Sequence, residues 1–250
     1  MKQPKVSIVT ATLNNLSGLE QTVDSVDSQT FLDVEHVVVD GGSTDGTREW
    51  LWTRPHIRSV SEPDSGIAEA LNKGLRMASG EWVLVLHSED TLIDRYSLAV
   101  ASHVLDTPAD IVSLHVLFSS RSGNRIWKSR GLSFRTNFKA TIPHQGAFCR
   151  RSLFERLGYF DNRFRVAMDY EFFLRAYRAG VDVDVVNTVL SRMPATGISS
   201  RTDWRSLRGR FEEERFAHRL HRDGPTLRFL YAGYWPLYLT YRKARSLAGY

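Results

Sequence analysis

The sequence predicts an α/β fold, a mixed and mainly parallel sheet flanked by helices, with a helical extension at the C-terminus. Short apolar runs without helical period, VSIVT (6–10), HVVVD (36–40) and WVLVL (82–86), read as strands buried on both faces. The segments between them repeat apolar residues at helical spacing, which makes βαβ units with right-handed crossovers. Beyond about residue 200 the pattern turns helical and basic, then aromatic.

Taken in order, the first strand leads into Leu16, Leu19, Val23 and Val26 at helical spacing, with Ser17 and Glu20 in capping-box register. The second strand runs straight into Asp40, Gly41 and Gly42, and IRSV (57–60) makes a shorter third. Ile67, Ala70, Leu71, Leu75 and Ala78 form the next apolar stripe, opened by Ser65 as a cap and closed by Gly80. The fourth strand, 82–86, ends in Ser88, Glu89 and Asp90. In DIVSLHVLF (110–118) the alternation of Val112, Leu114, Val116 and Phe118 predicts a half-buried strand. A helix follows over 151–157, stopped by Gly158. DYEFFLRAYRAG (169–180) is amphipathic, with Phe172, Phe173, Ala176 and Tyr177 inward and Gly180 as its stop. VDVDVVNTVL (181–190) alternates as an edge strand does. Without a repeat or a long linker, the chain divides into one domain over 1–200 and an extension over 201–250 packed on it.

The single cysteine, Cys149, excludes an intramolecular disulfide framework and reads as a small core residue. MKQPKVSIV is too short and polar for a signal peptide or a membrane span, so a cytoplasmic location is expected. Charge is uneven: residues 201–250 hold 11 Lys and Arg against 5 Asp and Glu, whereas residues 1–200 hold 22 against 23. The tail reads either as a solvated helix face, since Glu212, Glu213 and Glu214 offset part of its charge, or as a contact with the inner face of the plasma membrane, since Arg228, Trp235, Tyr238, Tyr241, Arg242, Lys243 and Arg245 mix aromatic and cationic groups as interfacial segments do. Nucleic acid is not an expected partner, since the aromatics cluster apart from the arginines. His218 and His221, three apart, lack the further ligands a zinc site needs.

Ligands of open parallel sheets bind outside the carboxyl ends of the strands. Thr10, Thr12 and Asn14, then Asp40 and Gly41, then Asp64 and Ser65, then Ser88, Glu89 and Asp90 all fall on that rim. Acids there, in a chain without a Walker sequence or G-x-G-x-x-G, point to a divalent cation, Mn²⁺ or Mg²⁺, holding a diphosphate. Asp40 as a turn former, Ser65 as a plain helix cap and Asp169 as a plain N-cap are the structural alternatives.

SIVTATLNN, VVVDGGSTDGT, SEPDSGIAEALNKGLRMASGEW, VLHSED, PHQGAFCRRSLFERLGYFD and MDYEFFLR occur in one order over roughly residues 4–200. This set resembles the family 2 glycosyltransferases of GT-A fold, particularly their bacterial polysaccharide and glycolipid branch. The resemblance implies inverting transfer of a sugar from a UDP- or dTDP-sugar to a hydroxyl of a glycan or lipid-linked acceptor. It places Asp40 on the nucleobase edge, and Thr10, Ala11, Thr12, Asn14 and Gly41 around base and ribose. Asp64 and Lys73 would flank the nucleotide, with Ser88 and Glu89 on the diphosphate. Asp90, with Glu89 second, would hold the metal. His144, Gln145 and Glu171 would line the donor-sugar or acceptor side, and Asp169 would be the catalytic base. The acidic motif departs from the family pattern, with His87 for the common Asn or Asp and Glu89 for the common Asp. That departure keeps open a non-catalytic nucleotide-sugar-binding or scaffold protein of the same fold. A nucleotidyltransferase lacks its glycine-rich, lysine-containing signature here.

Overall fold

The computed structural model describes residues 3–197, 200, 203–221 and 224–247; Arg201, Arg222 and Asp223, counted above in the basic tail, lie outside them. Its strands are β1 (Val6–Thr12), β2 (Val34–Asp40), β3 (Arg58–Ser61), β4 (Trp82–Val85), β5 (Thr91–Leu92), β6 (Ile111–Ser120), β7 (Gly123–Trp127), β8 (Ala147–Arg150) and β9 (Val183–Pro194). Among the described residues they form one sheet in the order β3-β2-β1-β4-β8-β6-β9-β5, with β7 added on β6. β3, β2, β1 and β4 are parallel, β8 runs against β4 and β6, β9 runs with β6, and β5 and β7 are antiparallel. The sheet is therefore mixed and mainly parallel, flanked by helices.

Helices α1 (Leu16–Asp27), α2 (Thr47–Trp52), α3 (Ile67–Met77), α4 (Ser97–Ser102), α5 (Arg151–Leu157) and α6 (Met168–Arg178) cover its faces. β1 lies between β2 and β4 under helices on both sides, so all seven of its residues are buried. On one face Val9, Val37, Val39, Leu71, Leu75 and Phe172 pack together; on the other, Ile8, Trp82, Leu84, Leu98, Val112 and Phe148. Each such large side chain contributes about 2 kcal/mol on burial. α3 lies close on the sheet because Gly74 has no side chain: a Cβ there would stand 2.5 Å from Val9 Cγ1. Cys149 is a core residue whose thiol burial, with the charge of Asp110, pushes up to about 12.

Several local expectations are corrected. α1 is capped by Asn15, whose side chain accepts from Gly18 N, rather than through Ser17 and Glu20. Gly66 takes the N-cap position of α3, while Ser65 donates its N–H and hydroxyl to Glu69 Oε2. α3 stops at Ala78 in extended backbone, ahead of Gly80. β6 is buried throughout its first six residues, not alternately, because both faces are covered there: Ile111 packs in the core on one side and Val112 and Leu114 in the core on the other. β9 extends to Pro194 and is an inner strand where β5 pairs it. The two-residue β5 and the four-residue β8 are too short to show a period in sequence.

Two further helices, α7 (Trp204–Leu220) and α8 (Gly224–Leu247), form a hairpin around Leu207, Phe211, Leu227, Tyr231 and Trp235. Glu213 of α7 accepts from the N–H groups of Arg165, Val166 and Ala167, which lead into α6, at 3.1, 2.9 and 2.8 Å. Buried His218 bonds Tyr170 of α6 at 2.6 Å and accepts from Trp235 Nε1 at 3.1 Å. Among the described residues no helix is long and apolar enough to cross a membrane.

Candidate active site

β1, β2 and β3 end level with one another, and β4 stops three residues earlier, opposite Val9. Thr12 is the register partner of Asp40, and Asp40 of Ser61, so one step across the sheet joins three polar groups. Asp40 is fully buried. Its carboxylate accepts from Ser43 N at 3.2 Å, from the Ser43 hydroxyl, and from Ser61 Oγ at 2.6 Å. These bonds fold the glycine-rich turn after β2 against the end of β3. Asp64 is half-buried; its Oδ1 accepts from Gly66 N at 2.9 Å, and its Oδ2 lies where a side chain on Gly41 would go, 2.6 Å from the Cβ position. Gly41 is thus a glycine because Asp64 occupies its side-chain space.

Thr10 is buried, with its hydroxyl 2.9 Å from His36 Nε2, and burial pushes His36 down to about 4. Ala11 and Thr12 are buried beside it, and the Thr12 hydroxyl finds no partner among the described residues. Asn14, in the left-handed region at φ 49, accepts from Thr44 N at its side-chain Oδ1 and donates its own N–H to Ser43 Oγ, clasping the two turns together. Lys73 donates to Pro63 O at 3.0 Å and pairs with Glu62 and Glu69, so it holds the turn that carries Asp64.

The acidic stretch follows β4 on the same rim. Ser88 Oγ reaches Ala11 O at 3.4 Å, and Glu89 sits at φ 79, a backbone region costly for a residue with a side chain. The Glu89 carboxylate accepts from Asn15 Nδ2 at 3.2 Å and from the Thr196 hydroxyl. Asp90 is 4% exposed and accepts from His87 N at 3.0 Å. Burial raises it to about 6, with the charge of Glu89 adding and His144, His87 N and Gln145 opposing. Among the described residues no three His, Cys, Asp or Glu side chains converge on one point. Two rim carboxylates, one of them a buried acid short of compensating charge, do fit a hard cation whose other ligands are phosphate oxygens and water.

Asp169 lies in the first turn of α6, inside the helix rather than at its N-cap, which is Ala167. The amide dipoles there favour a negative charge. His144 Nδ1 stands 2.9 Å from Asp169 Oδ2, and the two side chains are 19% and 26% exposed. Burial alone would raise Asp169, yet the hydrogen bond and charge of His144 outweigh it and hold the carboxyl below its usual range. The same contact raises His144 against its burial. His87 meets the His144 ring edge-on at 5.0 Å between centroids, and burial with His144 nearby pushes it down to about 3. His144 Nε2 and Gln145 Oε1 are buried without partners among the described residues, as the Thr12 hydroxyl is.

Glu171, expected toward the acceptor, is 2% exposed and bonds Arg175 at 3.1 Å and His221 at 2.6 Å. Two residues after Asp169 it points to the opposite side of α6. Arg175 in turn donates to the carbonyls of Leu157, Gly158 and Tyr159, so Glu171 braces the α5–α6 connection. Sequence reasoning did not single out Asn15, Thr196 or Glu213, since each acts through partners between 46 and 107 residues away. A common polar residue outside a motif gives no signal of such a contact.

The sequence model of Glycosyl transferase family 2 matches residues 7–186. A PGL/p-HBAD biosynthesis glycosyltransferase of Mycobacterium bovis is 35% identical over 191 residues, 71% of each chain. An uncharacterized glycosyltransferase of Bacillus subtilis, YwdF, is 28% identical over 186 residues, 69% of this chain and 68% of the relative. Among solved structures, the mannosyltransferase PcManGT from Pyrobaculum calidifontis, in complex with GDP-Man and Mn²⁺, superposes with a TM-score of 0.69 at 26% identity. That match takes in 99% of this chain and 75% of the neighbour. S. aureus TarS 1-349 in complex with UDP-GlcNAc gives a TM-score of 0.64 at 21% identity over 76% of this chain and 58% of its own, which shows a shared GT-A fold. With the family match spanning the whole strand-end rim, from β1 into β9, the chain belongs to glycosyl transferase family 2.

Proposed function

We propose that the protein moves a sugar, with inversion, from a UDP- or dTDP-sugar to a hydroxyl of a glycan or lipid-linked acceptor in cell-surface polysaccharide or glycolipid synthesis. The observation that carries this reading is the Asp169–His144 pair, an ionised carboxylate oriented at 2.9 Å within the same cluster of interacting groups as the buried acid Asp90. The Mycobacterium relative, whose name assigns it to glycolipid biosynthesis, supports the acceptor class.

In this mechanism Asp40 meets the nucleobase edge, with Ser43 and Ser61 orienting its carboxylate, and Thr12 and the turn carrying Asp64 receive base and ribose. The acceptor hydroxyl oxygen bonds to the anomeric carbon from the face opposite the diphosphate, and the bond from that carbon to the diphosphate oxygen breaks. The hydroxyl proton goes to Asp169. His144, donating from Nδ1 to Oδ2, and the Tyr170 N–H, donating to Oδ1 at 2.7 Å, together fix the orientation of the carboxylate that meets the acceptor. Asp90 and Glu89 would hold Mn²⁺ or Mg²⁺, which when bound supplies positive charge to the departing nucleoside diphosphate. The C-terminal helices would face the membrane that carries the acceptor.

Calorimetric binding of UDP and dTDP, each with and without Mn²⁺, to the wild type and Asp90→Ala tests the reading. Binding that needs both the cation and Asp90 is the expected result. Binding indifferent to both, with no nucleoside diphosphate released from any donor, would favour a non-catalytic nucleotide-sugar-binding protein.

A further inference from the structure

The near balance of charge over residues 1–200 hides a local excess. From Ile111 to Phe154 the chain contains no Asp or Glu, and Arg121, Arg125, Lys128, Arg130, Arg135 and Lys139 fall within that stretch. α8 is the second acid-free segment, with Arg228, Arg242, Lys243 and Arg245 as its only charges. Although nearly a hundred residues apart, the two meet in the fold. Tyr231 Oη donates to Asn137 O at 3.0 Å, Tyr234 Oη donates to Phe138 O at 3.1 Å, and the Phe138 ring packs against both tyrosines.

The face that results is apolar in the middle and basic at its edges. α8 buries Leu227, Tyr231 and Trp235 and turns Phe229, Leu237 and Tyr241 outward, at 80, 75 and 54% exposure. Between Phe229 and Tyr241 it carries no charge at all. On one edge Leu230 stands one turn before Tyr234, which touches Phe138, and beyond it lie exposed Phe134, Arg135 and Lys139. On the other edge Leu239 and Lys243 line a groove with Arg208, Glu212 and Arg215 of α7, where Glu212 pairs with Arg208 at 2.8 Å and leaves Arg215 and Lys243 as the net positive charge. An uncharged strip with aromatic groups between rows of cations suits the boundary between headgroups and acyl chains. A nucleic-acid surface would instead interleave stacking rings with cations.

We infer that α8 and the 134–139 turn together form one docking face for an anionic lipid bilayer, with α8 lying in the membrane plane. This deepens the lipid-linked acceptor reading and is read without sugar transfer, so either can fail alone. The full chain is floated with phosphatidylcholine vesicles, with and without phosphatidylglycerol. Expected are capture by the anionic vesicles only, its loss at high salt, and at least about tenfold weaker partition for Arg135→Glu with Lys139→Glu. Phe229→Asn with Leu237→Asn is expected to weaken partition similarly, both double variants keeping the wild-type melting temperature because all four side chains are exposed. Partition that survives exchange of Arg135 and Lys139, or equal capture by neutral vesicles, would overturn the inference. So would a single-stranded oligonucleotide bound as tightly as the anionic vesicles, which would make the face a general polyanion site.

Discussion

At Asp169 two opposing effects act on one carboxyl, and His144 decides between them. Burial favours the neutral acid, while the imidazole 2.9 Å away favours the anion and prevails. Asp169→Asn is expected to lower kcat by about 10² to 10⁴ while the Kd for nucleoside diphosphate, measured by calorimetry, stays nearly unchanged. A variant with normal turnover would remove Asp169 as the base. Replacing the neighbour tests the pair differently. In His144→Gln the charge of the imidazole is gone while burial and the Tyr170 N–H bond remain, so the Asp169 pKa rises. The acid limb of the kcat–pH profile then moves to higher pH; a limb that stays in place would separate His144 from the base. On the nucleotide side, Gly41→Ala puts a methyl group on the Asp64 carboxylate. Since a side-chain end can swing away, the expected outcome is weaker nucleotide binding with little change in melting temperature.

At the scale of elements, α6, the helix that carries Asp169, is held by another helix from outside the matched family segment. Glu213 of α7 satisfies three N–H groups ahead of α6, donors that helix starts leave open. Glu213→Ala is expected to speed amide exchange at Val166 and Ala167 and to lower kcat more than it changes the nucleotide Kd. The next residue gives a pH dependence. Burial first, then the charges of Asp169 and Glu213, raise Glu214 to about 7 against the pull of Arg210 and Arg242. A raised carboxyl adds stability below its unfolded value near 4.5 and loses it as pH climbs through about 7. The melting temperature should therefore fall between pH 5 and 8 by an amount worth about 2 kcal/mol, and Glu214→Gln should flatten that slope. How far such elements can be read from sequence depends on their periodicity. β1, β2, β4 and α3 are apolar runs or stripes, and they lie where those patterns put them. So do the polar groups at the strand ends, because a parallel sheet delivers its strand ends to one rim. The pairing of His144 with Asp169, the diversion of Glu171 to Arg175 and His221, and the Glu213 cap depend on how remote segments meet. No local pattern encodes that.

At the scale of the molecule, the tail has two halves with different attachments. α7 is bonded to α6 and its leading segment through Glu213 and through His218, which meets Tyr170 beside Asp169. α8 touches the turn at 134–139 and covers His218, whose ring stacks on Tyr231 at 4.1 Å. Burial, with the charge of Arg178, pushes His218 down to about 3, so it stays neutral between Tyr170 and Trp235 at any ordinary pH. Two truncations separate the halves. A chain ending at His221 keeps the Glu213 cap and the Tyr170 bond but loses the burial of Leu227, Tyr231 and Trp235, about 2 kcal/mol for each. It should melt at a lower temperature, still bind nucleoside diphosphate, and no longer float with anionic vesicles. A chain ending at Asp203 also leaves the Ala167 and Val166 donors open and uncovers Phe164, which packs on Phe216 at 5.3 Å. Nucleotide binding should persist there only if the strand-end rim is independent of α6, whereas loss of binding with α7, measured by the same calorimetry, would make that helix part of the folded site.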